Sequence, residues 1–282
     1  MPEGPEIRLA ADKIAAAIVG KPADELFFAF AHLKEFETAL AGQPVLAVET
    51  YGKAILTRFE NQLNIYSHNQ LYGKWVIRNA YDYPESTRQL RLAIHNQEKS
   101  ALLYSASTIE VLHDNDLSAH PFLSKIGPDL LDPTLTVEQV AARFTHKRFR
   151  RKRLTTLLLD QHFLAGLGNY LRTEVLYVAR VHPSLRPMDC TPEQIDALAH
   201  ATVKLTRQSY DTRGITMDLA LFESLKAKGW SRRNARWWVF ERDGEPCHIC
   251  SHEIVKDVIG GRRLYYCDLC QISDSTGTDH HH

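Results

Sequence analysis

Apolar residues Ile7, Ala11, Ile14 and Ile18 recur at the spacing of one helical face and the run stops at Gly20, so an amphipathic helix is expected over 6–19. Only a very short segment precedes it. From Glu25 to Leu112 the hydrophobic pattern breaks into short alternating runs at 45–48, 54–59, 63–67, 71–77, 90–94 and 101–104, with Asn61-Gln62 and Asn96-Gln97 as turns. This is the signature of a β-rich region. The Pro-bearing stretch 121–133 (PFLSKIGPDLLDP) ends it and acts as a linker, and helical periodicity follows over 137–145, 154–160, 170–179 and 192–208. Thr191 and Pro192 supply an N-cap and a first-turn proline for the last of these. A weaker helical pattern covers 217–228, and no internal repeat is visible.

With 282 residues, 44% hydrophobic and 24% charged, the chain has apolar surface enough for two domains and a small appendage. A bare zinc finger and wholesale disorder are excluded. No run approaches the length of a membrane span, and the start MPEGPE lacks the basic and apolar regions of a secretory signal, so a cytoplasmic location is expected. Net charge is zero, yet residues 1–139 hold 12 Lys/Arg against 18 Asp/Glu, while 140–282 hold 22 against 16. The total conceals a positive half that a polyanion could use.

Cys247-x2-Cys250 and Cys267-x2-Cys270, separated by 16 residues, have the spacing of two knuckles that place four thiolates on one tetrahedral zinc. Two disulfides are the alternative, disfavoured by the paired CxxC spacing and the absence of a secretory signal. Four sulfurs leave no open coordination position, so this Zn2+ is structural. His248 and His252 read as loop residues beside the ligands, and Cys190 as a small, partly buried side chain.

Between Arg143 and Arg153 lie seven basic residues and no acidic one, interrupted by Phe144 and Phe149. A second run, 226–236 (KAKGWSRRNAR), leads into Trp237-Trp238 and the cysteine segment. Both suit phosphate contact with base stacking, although a solvated helix face or buried tryptophans would look the same. Together with the ribbon, they make nucleic acid the leading partner class.

The start Met1-Pro2-Glu3-Gly4-Pro5-Glu6, the turn Tyr51-Gly52-Lys53, the stretch Ser67-His68-Asn69-Gln70-Leu71-Tyr72-Gly73, Leu164-Ala165-Gly166-Leu167-Gly168-Asn169-Tyr170 and the cysteine ribbon occur in this order. Together, over residues 2 to about 271, they closely resemble the formamidopyrimidine-DNA glycosylase/endonuclease VIII family. The resemblance implies an α+β multidomain fold: an N-terminal β-sandwich flanked by helices, then a helix-two-turn-helix domain with a C-terminal zinc ribbon. The expected boundaries are 1–125 for the sandwich, 126–240 for the helical domain, 241–271 for the zinc finger and 272–282 for a disordered tail ending in histidines of tag-like character. The implied activity is that of a bifunctional glycosylase and AP lyase of base excision repair. Its expected partner is double-stranded DNA with oxidised bases or abasic sites, met by a monomer in the nucleoid-bearing cytoplasm of a bacterium.

By the same resemblance, Pro2 is the Schiff-base nucleophile once Met1 is removed, and Glu3 is the general acid/base, with Glu6 as an assistant on the same helical side. Either acid also suits a helix start. Lys53 reaches DNA phosphate from a turn; Asn169, with backbone N–H groups at a helix start, binds phosphate and serves as N-cap. Arg262 stands five residues before the third cysteine, where the family's phosphate-binding arginine lies, with Arg263 as alternative because strand neighbours point to opposite sides. Gln70, Leu71 and Tyr72 match the residues that enter the duplex when a damaged nucleotide is extruded; without the resemblance, Leu71 and Tyr72 read as buried strand residues. The start and the Gln-Leu-Tyr triplet favour oxidised pyrimidines over 8-oxoguanine. Two rivals remain: a non-catalytic zinc-containing DNA- or RNA-binding protein, and a metal-dependent nuclease, for which no paired-carboxylate cluster is found.

Overall fold

The computed structural model describes residues 2–273. Met1 and most of the 272–282 tail lie outside the described residues. The chain divides into two compact units, one running to Ile126 and the other starting at Gly127.

The first unit opens with α1 (Gly4–Ile18), whose Ile7, Ile14 and Ile18 are at most 1% exposed. Burying each contributes roughly 1.5–3 kcal/mol, enough to hold a helix with no basic residue in its last turn. Then come β1 (Glu25–Phe28), α2 (Glu35–Leu40), β2 (Val45–Tyr51), β3 (Ala54–Phe59), β4 (Leu63–His68), β5 (Lys74–Asn79), β6 (Leu90–His95), β7 (Lys99–Tyr104) and β8 (Thr108–His113). They form two antiparallel four-stranded sheets, ordered β1-β6-β7-β5 and β2-β3-β4-β8. One core joins them: Phe28, Leu92, Ile94 and Leu103 from the first sheet meet Val45, Ile55, Ile65 and Ile109 from the second, with α1 packed in the same cluster. This is the expected sandwich. Leu102 and Tyr104 of β7 point into a separate small cluster, so that strand is buried on both faces and reads as a continuous apolar run.

Two edge strands, β1 and β8, fall outside the predicted runs. The run expected at 71–77 becomes a strand only at Lys74. β4 and β5 belong to different sheets, so residues 69–73 make a tight crossing, closed by Gly73 N–H donating to the Asn69 carbonyl at 2.7 Å. A Cβ on Gly73 would stand 2.6 Å from the Asn69 backbone, which explains the glycine.

The second unit holds α3 (Val137–Thr145), α4 (Leu154–Leu157), α5 (Asn169–Val178), α6 (Pro192–Thr212), α7 (Leu219–Ala227), α8 (Arg232–Ala235), β9 (Val255–Ile259) and β10 (Arg262–Tyr266). Capping boxes of Thr136 with Gln139 and Thr191 with Gln194 start α3 and α6. α4 ends earlier than its hydrophobic pattern suggests. Asp160 takes the His162 N–H, and Gln161 bonds the Leu159 and Leu167 carbonyls and the Gly166 N–H, which folds the chain into the two turns that lead to α5. Leu154, Phe163, Leu164, Leu171 and Leu198 are among the fully buried members of the helical core, and Leu264 of β10 joins them.

Candidate functional site

Pro2 is half-buried and stands directly before α1. Glu3 is the helix N-cap and is only 2% exposed. Its N–H donates to Glu6 Oε2 at 2.9 Å, one half of a reciprocal capping box. The two acids therefore complete the helix start and at the same time place a buried carboxyl one residue from Pro2.

Lys53 sits in the two-residue turn between β2 and β3, after Gly52 in the left-handed region at φ 60°. Read alone it looks like a solvent lysine, yet it is buried, 8% exposed. Its charge, together with burial as the larger cause, pushes the His68 imidazole below its ordinary value. The His68 Nδ1 accepts the Gln70 N–H at 3.0 Å. Gln70, Leu71 and Tyr72 follow at the surface, the latter two 60% and 69% exposed, which corrects the buried-strand reading.

In the second unit, Asn169 is the first residue of α5, while Gly168 is the N-cap, so the capping role expected of Asn169 falls to its neighbour. The Asn169 amide instead donates to the Arg263 carbonyl at 2.8 Å and accepts from buried Arg172 at 2.6 Å. Arg172 also donates to the Arg263 and Thr155 carbonyls, at 3.0 and 3.1 Å, tying α4, α5 and β10 together. Both arginines of the ribbon are exposed, and the alternation of β10 separates them. Leu264 enters the helical core and Tyr265 the ribbon core, so Arg262 shares the face turned to the helices and Arg263 the opposite one.

Four cysteine sulfurs, of Cys247, Cys250, Cys267 and Cys270, lie within 4.8 Å of one another, with closest separations of 3.4 to 3.8 Å. Disulfides are excluded at that spacing, whereas a tetrahedron with Zn–S bonds of about 2.3 Å has edges of about 3.8 Å. The thiolate set fits one structural Zn2+, with no position left for substrate. Gly260 and Gly261, at φ 59° and 73°, make the two-residue turn between β9 and β10 that carries the arginines. Tyr177 of α5 places its hydroxyl 3.0 Å from Cys247 Sγ. Burial, then the sulfur itself, pushes that hydroxyl far above its ordinary range, so it keeps its proton and donates to the thiolate. His252 pairs with Asp268 and His248 packs near Trp230, so neither belongs to the cluster. Cys190 is half-buried, its thiol pushed up to about 11 by burial and by Asp189.

The basic runs differ in what they leave available. In the second, Arg232 donates to the Thr212 and Arg213 carbonyls at the end of α6, Lys226 to the Trp230 carbonyl, and Arg236 stacks on Trp237 at 3.7 Å. Trp237 is 7% exposed, and Trp238 is partly buried against the small cores, so these rings are structural. In the first run, Arg143 donates to the Phe163 and His162 carbonyls and Lys152 pairs with Asp160. Lys147, Arg148, Arg150, Arg151 and Arg153 remain exposed with no acidic partner among the described residues.

His68, Arg172 and Tyr177 escape the sequence reading as contributors to these sites. Tyr177 gives no local signal, its partner being 70 residues away.

Fold and metal cluster define a class: a β-sandwich unit followed by a helix-two-turn-helix unit closed by a zinc ribbon. Residues 1–106 match the formamidopyrimidine-DNA glycosylase N-terminal domain, 126–220 the formamidopyrimidine-DNA glycosylase H2TH domain, and 244–272 the zinc finger found in FPG and IleRS. Endonuclease 8 of Shigella sonnei (strain Ss046) is 48% identical over 271 residues, 96% of this chain and 100% of that protein, and Endonuclease 8 of Escherichia coli (strain K12 / DH10B) is equally similar over the same shares. The chain belongs to the formamidopyrimidine-DNA glycosylase/endonuclease 8 family. Among solved structures, the Lactococcus lactis formamidopyrimidine-DNA glycosylase bound to DNA with an AP site has the same fold, with a TM-score of 0.79 at 20% identity, covering 95% of this chain and 99% of that one. The same enzyme with DNA containing N7-benzyl-Fapy-dG gives 0.78 at 21% identity, over 96% and 99%.

Proposed function

We propose that this protein is a bifunctional DNA glycosylase and AP lyase of base excision repair, acting on double-stranded DNA with oxidised bases or abasic sites. The observation that carries this reading is the buried Glu3 carboxyl beside Pro2, at the start of a helix locked by Glu6. Removal of Met1 gives Pro2 a secondary amine. An α-amino group titrates at roughly 8, so a usable neutral fraction exists near neutral pH. Its nitrogen attacks the sugar C1′ and the damaged base leaves, with Glu3 moving protons as the base departs and the sugar ring opens. The resulting iminium acidifies the 2′ protons, and elimination expels first the 3′ and then the 5′ phosphate. A one-nucleoside gap with phosphate on both sides is the product. Zinc takes no part in these steps; it braces the ribbon.

Lys53, Asn169 and Arg262 are assigned to phosphate. The placement of Arg262 on the helix-facing side of β10 supports it over Arg263. Gln70, Leu71 and Tyr72 are assigned to the gap left by the extruded nucleotide, supported by the exposure of both apolar members. Oxidised pyrimidines such as thymine glycol are the favoured lesions. No helix among the described residues is long and apolar enough to cross a membrane, and the relatives named above are bacterial; the reading places the protein on DNA in the bacterial cytoplasm.

Borohydride trapping tests the core of this reading. A covalent adduct with abasic or thymine-glycol DNA is expected, and Pro2→Gly or a retained Met1 is expected to abolish it. Binding without nicking would establish the non-catalytic alternative, and adduct-free nicking that stops in EDTA while the ribbon keeps its zinc would establish a metal-dependent nuclease. Excision of thymine glycol and 8-oxoguanine side by side decides the lesion class.

A further inference from the structure

Surface loops usually turn polar side chains outward and apolar ones inward. The loop after β4 does the reverse: Leu71 and Tyr72 face solvent while the Gln70 amide is folded back on the protein. Ser107 Oγ donates to Gln70 Oε1 at 2.5 Å, and Gln70 Nε2 donates to Thr108 Oγ1 at 2.9 Å. Each end of the amide is thereby engaged. The two hydroxyls stand on firm support. Thr108 opens β8 directly opposite His68 of β4, and the turn before it is fixed by Ser105 in the left-handed region and by buried Ala106.

The loop backbone is held by other bonds. Gln70 N–H donates to His68 Nδ1, Gly73 N–H to the Asn69 carbonyl, and Arg88 Nη1 to the Tyr72 carbonyl at 2.6 Å. Releasing the Gln70 side chain therefore requires two hydrogen bonds to break and leaves the loop in place.

We propose that Ser107 and Thr108 are positioning residues that park Gln70 when no lesion is bound, so that entry of the loop into the duplex is coupled to release of the amide. This rests on the reading of Gln70, Leu71 and Tyr72 given above. A carboxamide reads a base edge with one donor and one acceptor. The hydroxyl pair offers the complementary acceptor and donor, a stand-in for the unpaired base. Insertion then exchanges one matched pair of bonds for another, and the exchange sets how readily the loop commits.

The test uses the full chain and a duplex with 2-aminopurine opposite a stable abasic-site analogue, followed by stopped-flow fluorescence. Ser107→Ala/Thr108→Val is expected to accelerate the insertion phase roughly tenfold, the scale of removing two competing hydrogen bonds. In a Gln70→Ala background the same double substitution is expected to change nothing. An unchanged or slower insertion phase, or equal acceleration without Gln70, overturns the proposal. A borohydride adduct in the unsubstituted protein together with unchanged insertion kinetics defeats the cradle alone. Absence of the adduct defeats the functional reading and the cradle with it.

Discussion

The Asn169 side chain reaches across from α5 to donate to the backbone carbonyl of Arg263 at 2.8 Å, so the start of the helix and the arginine-bearing strand of the ribbon are positioned by one amide. Asn169→Ala is expected to weaken binding of abasic DNA about thirtyfold, because it removes the amide proposed above for phosphate and the alignment of β10, each worth about 1 kcal/mol. Fluorescence anisotropy checks it. A lower melting temperature with undiminished affinity would reduce Asn169 to a structural tie.

Tyr177 donates to a thiolate that is also a metal ligand. Partners of this kind commonly change metal affinity by about 10- to 100-fold. Tyr177→Phe is therefore expected to release zinc to a colorimetric chelator at least about tenfold more readily, with Pro2 trapping at saturating DNA unaffected.

Five exposed cations of the turn after α3 have no acidic partner among the described residues. Replacing Lys147, Arg150 and Arg151 with Gln is expected to flatten the plot of log affinity against log salt by about 0.9 for each DNA phosphate that the variant no longer neutralises. Damaged and undamaged duplexes should suffer alike. An unaltered slope would leave the turn as solvated surface.

His95 is 1% exposed, with Nε2 at 2.8 Å from the Tyr83 hydroxyl, Nδ1 at 2.6 Å from Ser100 Oγ and the Tyr81 ring stacked on it at 4.5 Å. Burial pushes its imidazole below the ordinary 6.5, against the opposing pull of Glu25, and His68 is lowered as well. The unfolded chain then binds more protons than the folded one. The stabilisation is fully present above about pH 6.5 and is lost as pH falls through the depressed folded value. Denaturant unfolding at pH 7.5 and 5.5 should show lower stability on the acid side, and His95→Gln should flatten that dependence.

Glu174 is wholly buried in α5. Its carboxylate accepts the N–H groups of Trp238, Val239 and Phe240 at 2.8, 2.9 and 3.0 Å and the Thr216 hydroxyl at 2.5 Å. Burial pushes its carboxyl up while these donors oppose the rise. Glu174→Gln puts an N–H2 where only acceptors fit, at an expected cost of about 3 kcal/mol. Limited proteolysis should then cut first between residues 216 and 240.

How far fold and site are legible from the sequence depends on whether the determining partners are near in the chain. Cysteine knuckles and the Thr191 cap are local spacings, and the sequence reading places them directly. For α4 the hydrophobic period predicts too long a helix, because the stop is made by Asp160 and Gln161 side chains bonding turn backbone, which that period does not register. Leu71 and Tyr72 look like strand residues by type; only the change of sheet between β4 and β5 exposes them. The second basic run looks like a phosphate surface, yet Arg232 closes the end of α6 and Arg236 covers an indole, partners that are invisible without the fold.

Residues 221–243 fall outside the three family matches. Residues 221–235 of this stretch lie in an excursion that closes at a narrow neck, where the Thr216 and Met217 N–H groups donate to the Arg236 carbonyl and the Trp238 indole to the Thr216 carbonyl, while Glu174 accepts from the Thr216 hydroxyl and the Trp238 N–H. Between the two sides of the neck, α7 and α8 form their own small core of Met217, Phe222, Leu225 and Ala235. An excursion with adjoining ends is a replaceable cassette: its contents can be lengthened, trimmed or exchanged at little entropic penalty so long as the clasp survives. For anyone wishing to exchange that segment, the clasp marks where to cut and splice.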